Sequence, residues 1–315
     1  MGAMLLSLAA GATAIDPVRA LGEILRGETG TVAARILLYV RLPRTLGALL
    51  AGVALATSGA LIQGVLNNAL AGPNIIGVNA GAGFAGLLCA ALAPGLPLLV
   101  PGASFAGALA ATLLIYAIAA GTGASRITIV LAGVAVSAMF SAGIDGITTL
   151  YPDAVAGASG FMIGGLGGVS LQRILPALWL IFVGLAAALL AAPELNVLAL
   201  GEETAKSLGM RVPLVRFVLL AAASILAGAA VSFAGLLGFV GLVAPHVARF
   251  LFGTDHRRML PACAMLGGSF VLLCDVLARV LFPPFELPVG ILMSLLGGPF
   301  FIYLLLKRNR GRLYD

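Results

Sequence analysis

Nine long apolar runs, with a shorter one ahead of them, leave this chain few ways to fold. They fall at roughly 45–66, 75–93, 103–120, 127–150, 171–192, 213–233, 238–253, 259–281 and 287–306, after a first run over Met1–Ile15. A helix needs about 20 apolar residues to cross about 30 Å of hydrocarbon, and most of the runs are near that length. Lipid offers no partner to backbone N–H and C=O groups, so only helices and closed barrels can span it. These runs are continuous rather than alternating, which selects helices over a barrel. The composition agrees: 61% hydrophobic and 10% charged, against about 25% charged in soluble domains. The expectation is an all-α polytopic membrane protein of about ten transmembrane helices, forming one domain over residues 1–315. The net charge of +6 sits in loops and ends. It therefore reports topology rather than nucleic-acid binding. Cys89, Cys263 and Cys274 are scattered through apolar runs and read as small buried residues, not disulfides or ligands.

The first run is short for a span. It resembles a signal-peptide core ending in A-x-A at Ala12–Ala14, but it lacks a positive leader. It reads instead as a first transmembrane helix whose beginning is missing from this start site. Orientation follows from the basic C-terminus, where Lys307, Arg308, Arg310 and Arg312 abut the last run and should be cytoplasmic. Counting back puts Arg257 and Arg258, the stretch 194–212, and Arg126 inside, and residues 16–44 outside. The run 238–253 is short and holds Pro245, His246 and Arg249; a re-entrant path there would reverse the sidedness of everything before it. Residues 16–44 carry Arg19, Arg26, Arg35, Arg41 and Arg44 against the positive-inside trend. Such a cluster suits a surface for an acidic external partner.

Between two apolar runs lies the polar stretch 194–212, a short helix-competent segment. Glu202 and Glu203 open it, Lys206 lies near its end and Gly209 is placed to stop it. A helix this short needs something to pack against. It is either a solvated loop helix or a docking element for a cytosolic partner. In the second reading Leu200 and Leu208 anchor it while Glu202, Glu203 and Lys206 face the partner or solvent. Small-xxx-small spacings at Gly77/Gly81, Gly160/Gly164 and Gly164/Gly168 suggest close helix packing. Residues 41–66 also echo residues 211–237, with Pro73 and Pro245 at similar offsets, as in repeat-built transporters.

Catalytic signatures are thin. Neither lysine lies in a phosphate-binding GxxxxGK[ST] loop. Gly157-Ala-Ser-Gly160 matches the G-x-S-G of intramembrane serine proteases, with His246 a conceivable base for Ser159, although such a tetrapeptide is cheap in a Gly/Ala-rich chain. Asp145 and Asp275 are acids inside apolar runs, hence functional candidates by default. Arg279 lies four residues beyond Asp275, so a pair on one helix face is expected there. Asp145 has no partner in sequence reach and reads as either pore-lining or hydrogen-bonded. A path for bare metal ions would want several His, Asp or Cys ligands; without them, any metal cargo should arrive inside an organic chelate.

Four stretches carry a likeness to a known family. RLPRTLGALLAGVALATSGALIQGVLNNALAGPNIIGVNAGAG (41–83), LNVLALGEETAKSLGMRV (195–212), GFVGLVAPHVARFLFGTDHRRMLP (238–261) and FELPVGILMSLLGGPFFIYLLLKR (285–308) resemble the permease subunits of FecCD-type ABC importers. That family carries iron–siderophore complexes, haem and vitamin B12. The resemblance implies a FecCD-type permease bundle in a bacterial inner membrane, with a second copy of itself, two cytosolic ATPases and an external or periplasmic binding protein. It implies no catalytic residue, no resident metal or cofactor and no nucleic-acid partner. Glu202, Glu203, Ala205, Lys206, Leu208 and Gly209 then match the element that couples to the ATPase. Arg41, Arg44 and Arg279 match basic positions facing acids of the binding protein, while Val78, Asn79, Ser141 and Asp145 fall near the cytosolic gate. An ion-gradient-driven secondary transporter, with Asp145 as its coupling acid, is the alternative.

Overall fold

The computed structural model describes residues 2–11, 16–121, 125–282 and 285–311, so the A-x-A at 12–14 and Arg312 lie outside it. The chain runs through α1 (Gly2–Ala9), α2 (Pro17–Leu25), α3 (Val32–Ile36), a π-helical turn (Leu37–Arg41) and α4 (Leu42–Leu66). There follow α5 (Val78–Leu92), α6 (Leu99–Ala120), α7 (Arg126–Leu150), α8 (Pro152–Ile163) and α9 (Leu171–Leu190). The second half has α10 (Ala192–Ala199), α11 (Glu202–Ser207), α12 (Val212–Ala234), α13 (Val240–Phe252), α14 (His256–Val280) and α15 (Val289–Gly311). Among the described residues six helical stretches are long and apolar enough to cross a membrane, and three shorter apolar helices accompany them. Among the described residues each apolar run of the sequence contains a helix.

The largest boundary difference lies in residues 16–44. They were expected as an external polar stretch, yet the helix of the second span begins at Val32. The Thr31 hydroxyl starts it by accepting the Ala34 N–H at 3.2 Å. Arg35, Arg41 and Arg44 therefore ride on a helix instead of a loop. Before it, Asp16 caps α2 through Val18 N and Arg19 N, with Pro17 preset in the first turn.

The two stretches that echo each other in sequence become α4 and α12, the most buried helices of the bundle, joined by the Ser58 hydroxyl donating to the Ala223 carbonyl at 2.7 Å. Each is followed by non-helical chain and then a short helix, α5 or α13. Thirteen residues of α13 make about 20 Å of helix, short of the roughly 30 Å of hydrocarbon. Non-helical backbone at such depth needs protein cover; Ala71, Gly72, Ile76 and Gly77 are buried.

Close backbone approach occurs at Gly52 against Gly267, Gly59 against Gly241 and Gly81 against Gly107. Of the glycines in the spacings read from sequence, Gly81 belongs to such a contact, and Gly164 lies against the backbone of Gly235 and Leu236. Gly77 is instead a left-handed N-cap (φ 69°) and Gly164 a left-handed C-cap (φ 84°), while Gly160 and Gly168 have open space beside them.

The bundle has two chemically distinct ends. At one, the start of α4 and the end of α12 border a cavity of about 630 Å³ with Arg44, Asp153, Arg173 and Glu286 on its walls. At the other, the end of α4 meets a cavity of about 670 Å³ lined by Gln63, Asn196, Leu200, Arg249, Asp255 and His256. The helices α4 and α12 thus run antiparallel. Residues that charge counting assigned to opposite faces fall at opposite ends.

Candidate functional site

The polar stretch 194–212 folds as α10, a tight turn and the six-residue α11. Gly201 (φ 110°) opens α11 and Gly209 (φ 83°) follows it, both in backbone regions that favour glycine. The 5→2-type bond Gly209 N to Lys206 O (2.9 Å) and the 6→1-type bond Met210 N to Ala205 O (3.0 Å) close its end. Ala205 is fully buried and seats the segment on the bundle.

The anchoring differs from the sequence expectation in two respects. Leu200 and Leu208 do not anchor the segment; they are 64% and 65% exposed. Glu202 does not face outward only. Its Oε1 accepts from Lys206 Nζ at 2.8 Å, and its Oε2 from Arg216 Nη2 at 2.7 Å, with Arg216 wholly buried in α12. The Lys206 hydrogen bond, then the Arg216 one, pulls the Glu202 carboxyl down to about 2. It stays ionised through the physiological range, and stability from this pair would fade only as the pH fell toward that value. Glu203 and Lys206 are exposed. The surface presented outward is thus Leu200, Glu203, Lys206 and Leu208. Sequence reading missed Arg216 and a second clamp, Arg126 Nη2 donating to Leu198 O at 3.2 Å.

The proposed gate residues divide. Val78 is fully buried at the start of α5. Asn79 is half-buried, and its Oδ1 has no hydrogen-bond partner among the described residues. What faces this helix start is Ser137 of α7, whose hydroxyl lies 3.6 Å from where a Cβ on Gly77 would stand and also lacks a hydrogen bond among the described residues. Ser141 and Asp145 do not join them. Both are exposed, one and two turns beyond Ser137 on α7, along a stripe that also carries Ile127, Leu131 and Val134.

The arginines of the opposite end lie beneath the surface: Arg41, Arg44 and Arg279 are 3%, 6% and 3% exposed. Arg41 donates to the carbonyls of Leu8 and Ala9 at 2.6 and 2.7 Å, closing off the end of α1. Arg44 Nε meets Asp275 Oδ1 at 3.0 Å and its Nη1 meets Glu286 Oε2 at 2.5 Å. Arg279 pairs with Asp275 Oδ2 at 3.1 Å, the expected i,i+4 contact, and reaches back to Ser7 Oγ at 2.9 Å. The cluster ties α1, α4 and α14 together.

Ser159 of the protease-like tetrapeptide donates to Ala156 O in its own helix at 3.0 Å. His246 sits on α13, edge-on to Phe300 at 6.1 Å between ring centroids. The two belong to different elements with their own contacts. Among the described residues no three His, Cys, Asp or Glu side chains gather in a metal-binding group.

Residues 1–307 match the FecCD transport family. The Fe(3+) dicitrate transport system permease FecD of Escherichia coli is 38% identical over 307 residues, 97% of this chain and 95% of that protein. The hemin transport system permease HmuU of Yersinia pestis is 38% identical, covering 88% of this chain and 85% of its own. A solved structure described as an inward-facing conformation of a metal-chelate type ABC transporter superposes with a TM-score of 0.84 at 27% identity, covering 97% of this chain and 96% of that one. With an all-helical fold, a whole-length family match and relatives this similar, the chain belongs to the FecCD transport family.

Proposed function

We propose that this chain is the membrane permease subunit of a binding-protein-dependent ABC importer for a metal chelate such as haem, a ferric siderophore or cobalamin. The observation that carries the reading is the near end-to-end correspondence with importer permeases such as those for ferric dicitrate and hemin. The chain supplies the passage and performs no covalent chemistry; a separate ATPase supplies the energy. Two copies assemble with the open face of α7 toward each other, so that Ser141 and Asp145 border the passage. The α11 end faces the cytosol of a bacterial cell and meets the ATPase, together with the C-terminus. The Arg44 end faces outward toward a soluble binding protein. Closure of the ATPase dimer moves α11, and the helices rock between outward- and inward-open states.

Reconstitution with the cognate ATPase and loaded binding protein tests this. Uptake should need ATP and both partners; uptake that follows an ion gradient without ATP would replace the reading with the secondary transporter. Cysteines placed at 26 should be labelled from outside the cell, and those at 206 and 258 should not. The reverse pattern would overturn the orientation.

Gly209 offers a sharper test of α11. Its φ of 83° is hostile to a β-branched residue, while no atom lies within 4 Å of a Cβ built there. The effect of Gly209→Val is therefore backbone strain, of order 1–3 kcal/mol confined to the end of α11. The expected result is a complex of normal size by gel filtration that loses binding-protein-stimulated ATP hydrolysis and uptake. Full transport by this variant would make α11 a passive loop.

A further inference from the structure

The α11 segment is joined to the rest of the chain by two glycines in left-handed or extended positive-φ conformations, Gly201 and Gly209, and neither has an atom within 4 Å of a built Cβ. Such joints transmit little by packing. A force applied to α11 can reach the bundle through Ala205, which is small, and through the Glu202 carboxylate. That carboxylate is held at both oxygens, by Lys206 on α11 itself and by Arg216 on α12. Arg216 is a fully buried guanidinium, so its end of the pair is fixed in place. The first turn of α12 is braced in turn from α6, where Tyr116 donates to Pro213 O at 2.7 Å and its ring lies 5.1 Å from that of Phe217. At the first residue of α7, Arg126 holds the Leu198 carbonyl just ahead of α11.

We infer that Arg216 is a positioning residue that, through Glu202, locks α11 to α12 so that a push on α11 moves the bundle instead of turning α11 on its glycine joints. Arg126 carries the same motion to α7, whose Ser137 faces the start of α5. The ion pair also fixes which way α11 is turned, with Leu200, Glu203, Lys206 and Leu208 outward. The inference rests on the reading of α11 as the contact for an ATPase.

The test uses the full importer in proteoliposomes with ATPase and loaded binding protein, and reads cargo transported per ATP hydrolysed. Glu202→Gln and Arg216→Met should each lower that ratio at least tenfold while ATPase still co-purifies with the permease. The double variant should be no worse than either single one, and Arg216→Lys should recover a substantial part of the ratio, since an ammonium can still reach Glu202. A merely structural role would lower the melting temperature and the amount of assembled complex and leave the ratio of the surviving complexes intact. Should Arg216→Met fail to assemble, Glu202→Gln decides alone, because Glu202 is partly exposed and its replacement is nearly isosteric. A ratio within twofold of wild type in Glu202→Gln overturns the inference. If the wild-type protein itself transports without ATP, the underlying reading of α11 is what has failed, and the two results are distinct.

Discussion

Asp275→Ala is expected to destabilise the protein by about 3–5 kcal/mol, because it strands two buried guanidinium groups. Asp275 is fully buried and divides its oxygens between Arg44 (3.0 Å) and Arg279 (3.1 Å). Arg44 keeps Glu286, and Arg279 keeps Ser7, so the lower part of that range is the better expectation. Asp275→Asn retains an acceptor without the charge and should fall between alanine and wild type. Thermal unfolding in detergent, followed by the loss of monodisperse protein, measures the effect. The outcome also bears on the proposal that Arg41, Arg44 and Arg279 receive acids of a binding protein. If these arginines serve only an external partner, Asp275→Ala should leave the melting temperature unchanged and alter partner affinity alone. If they first hold the molecule together, the melting temperature falls whether or not the partner is present.

The second large effect is expected from Gly59→Val. A Cβ at Gly59 would coincide with backbone atoms of Gly241, the carbonyl oxygen first. Backbone cannot swing aside as a long side chain can, so α4 and α13 must separate. The cost should reach or exceed the ~3 kcal/mol upper end of usual overpacking penalties, with helix β-branching a small addition. Failure to accumulate folded protein, or a melting temperature well below wild type, is the expected readout. Gly102→Ala on α6 has open space and should behave as wild type. Equal behaviour of the two variants would show that the Gly59 contact is not tight.

Some of the site was visible in the chain and some was not, and the dividing line is sequence distance. The i,i+4 pair Asp275–Arg279 follows from helical spacing. The other half of that cluster, Arg44 to Asp275, joins residues 231 apart; no local pattern announces it, and Arg41 and Arg44 read as an exposed basic patch. The short helix at 202–207 was legible from its charges and terminal glycine. Which of its faces turns inward was not, since that depends on Arg216 arriving from α12. Leu200 and Leu208 invited burial by their apolarity, yet among the described residues neither is covered.

The sequence by itself determined that the chain spans a membrane as helices and roughly where most of them lie, though not that the second begins at Val32 and carries Arg35, Arg41 and Arg44. Lipid imposes that answer locally, since each span must be apolar along its own length and satisfy its own backbone. Only the tertiary structure decided which glycines touch, which arginines are buried and how α11 is held. Those properties depend on what faces a residue across a helix contact, and two helices can approach to backbone distance at Gly59 and Gly241 with no sign of it in either stretch alone.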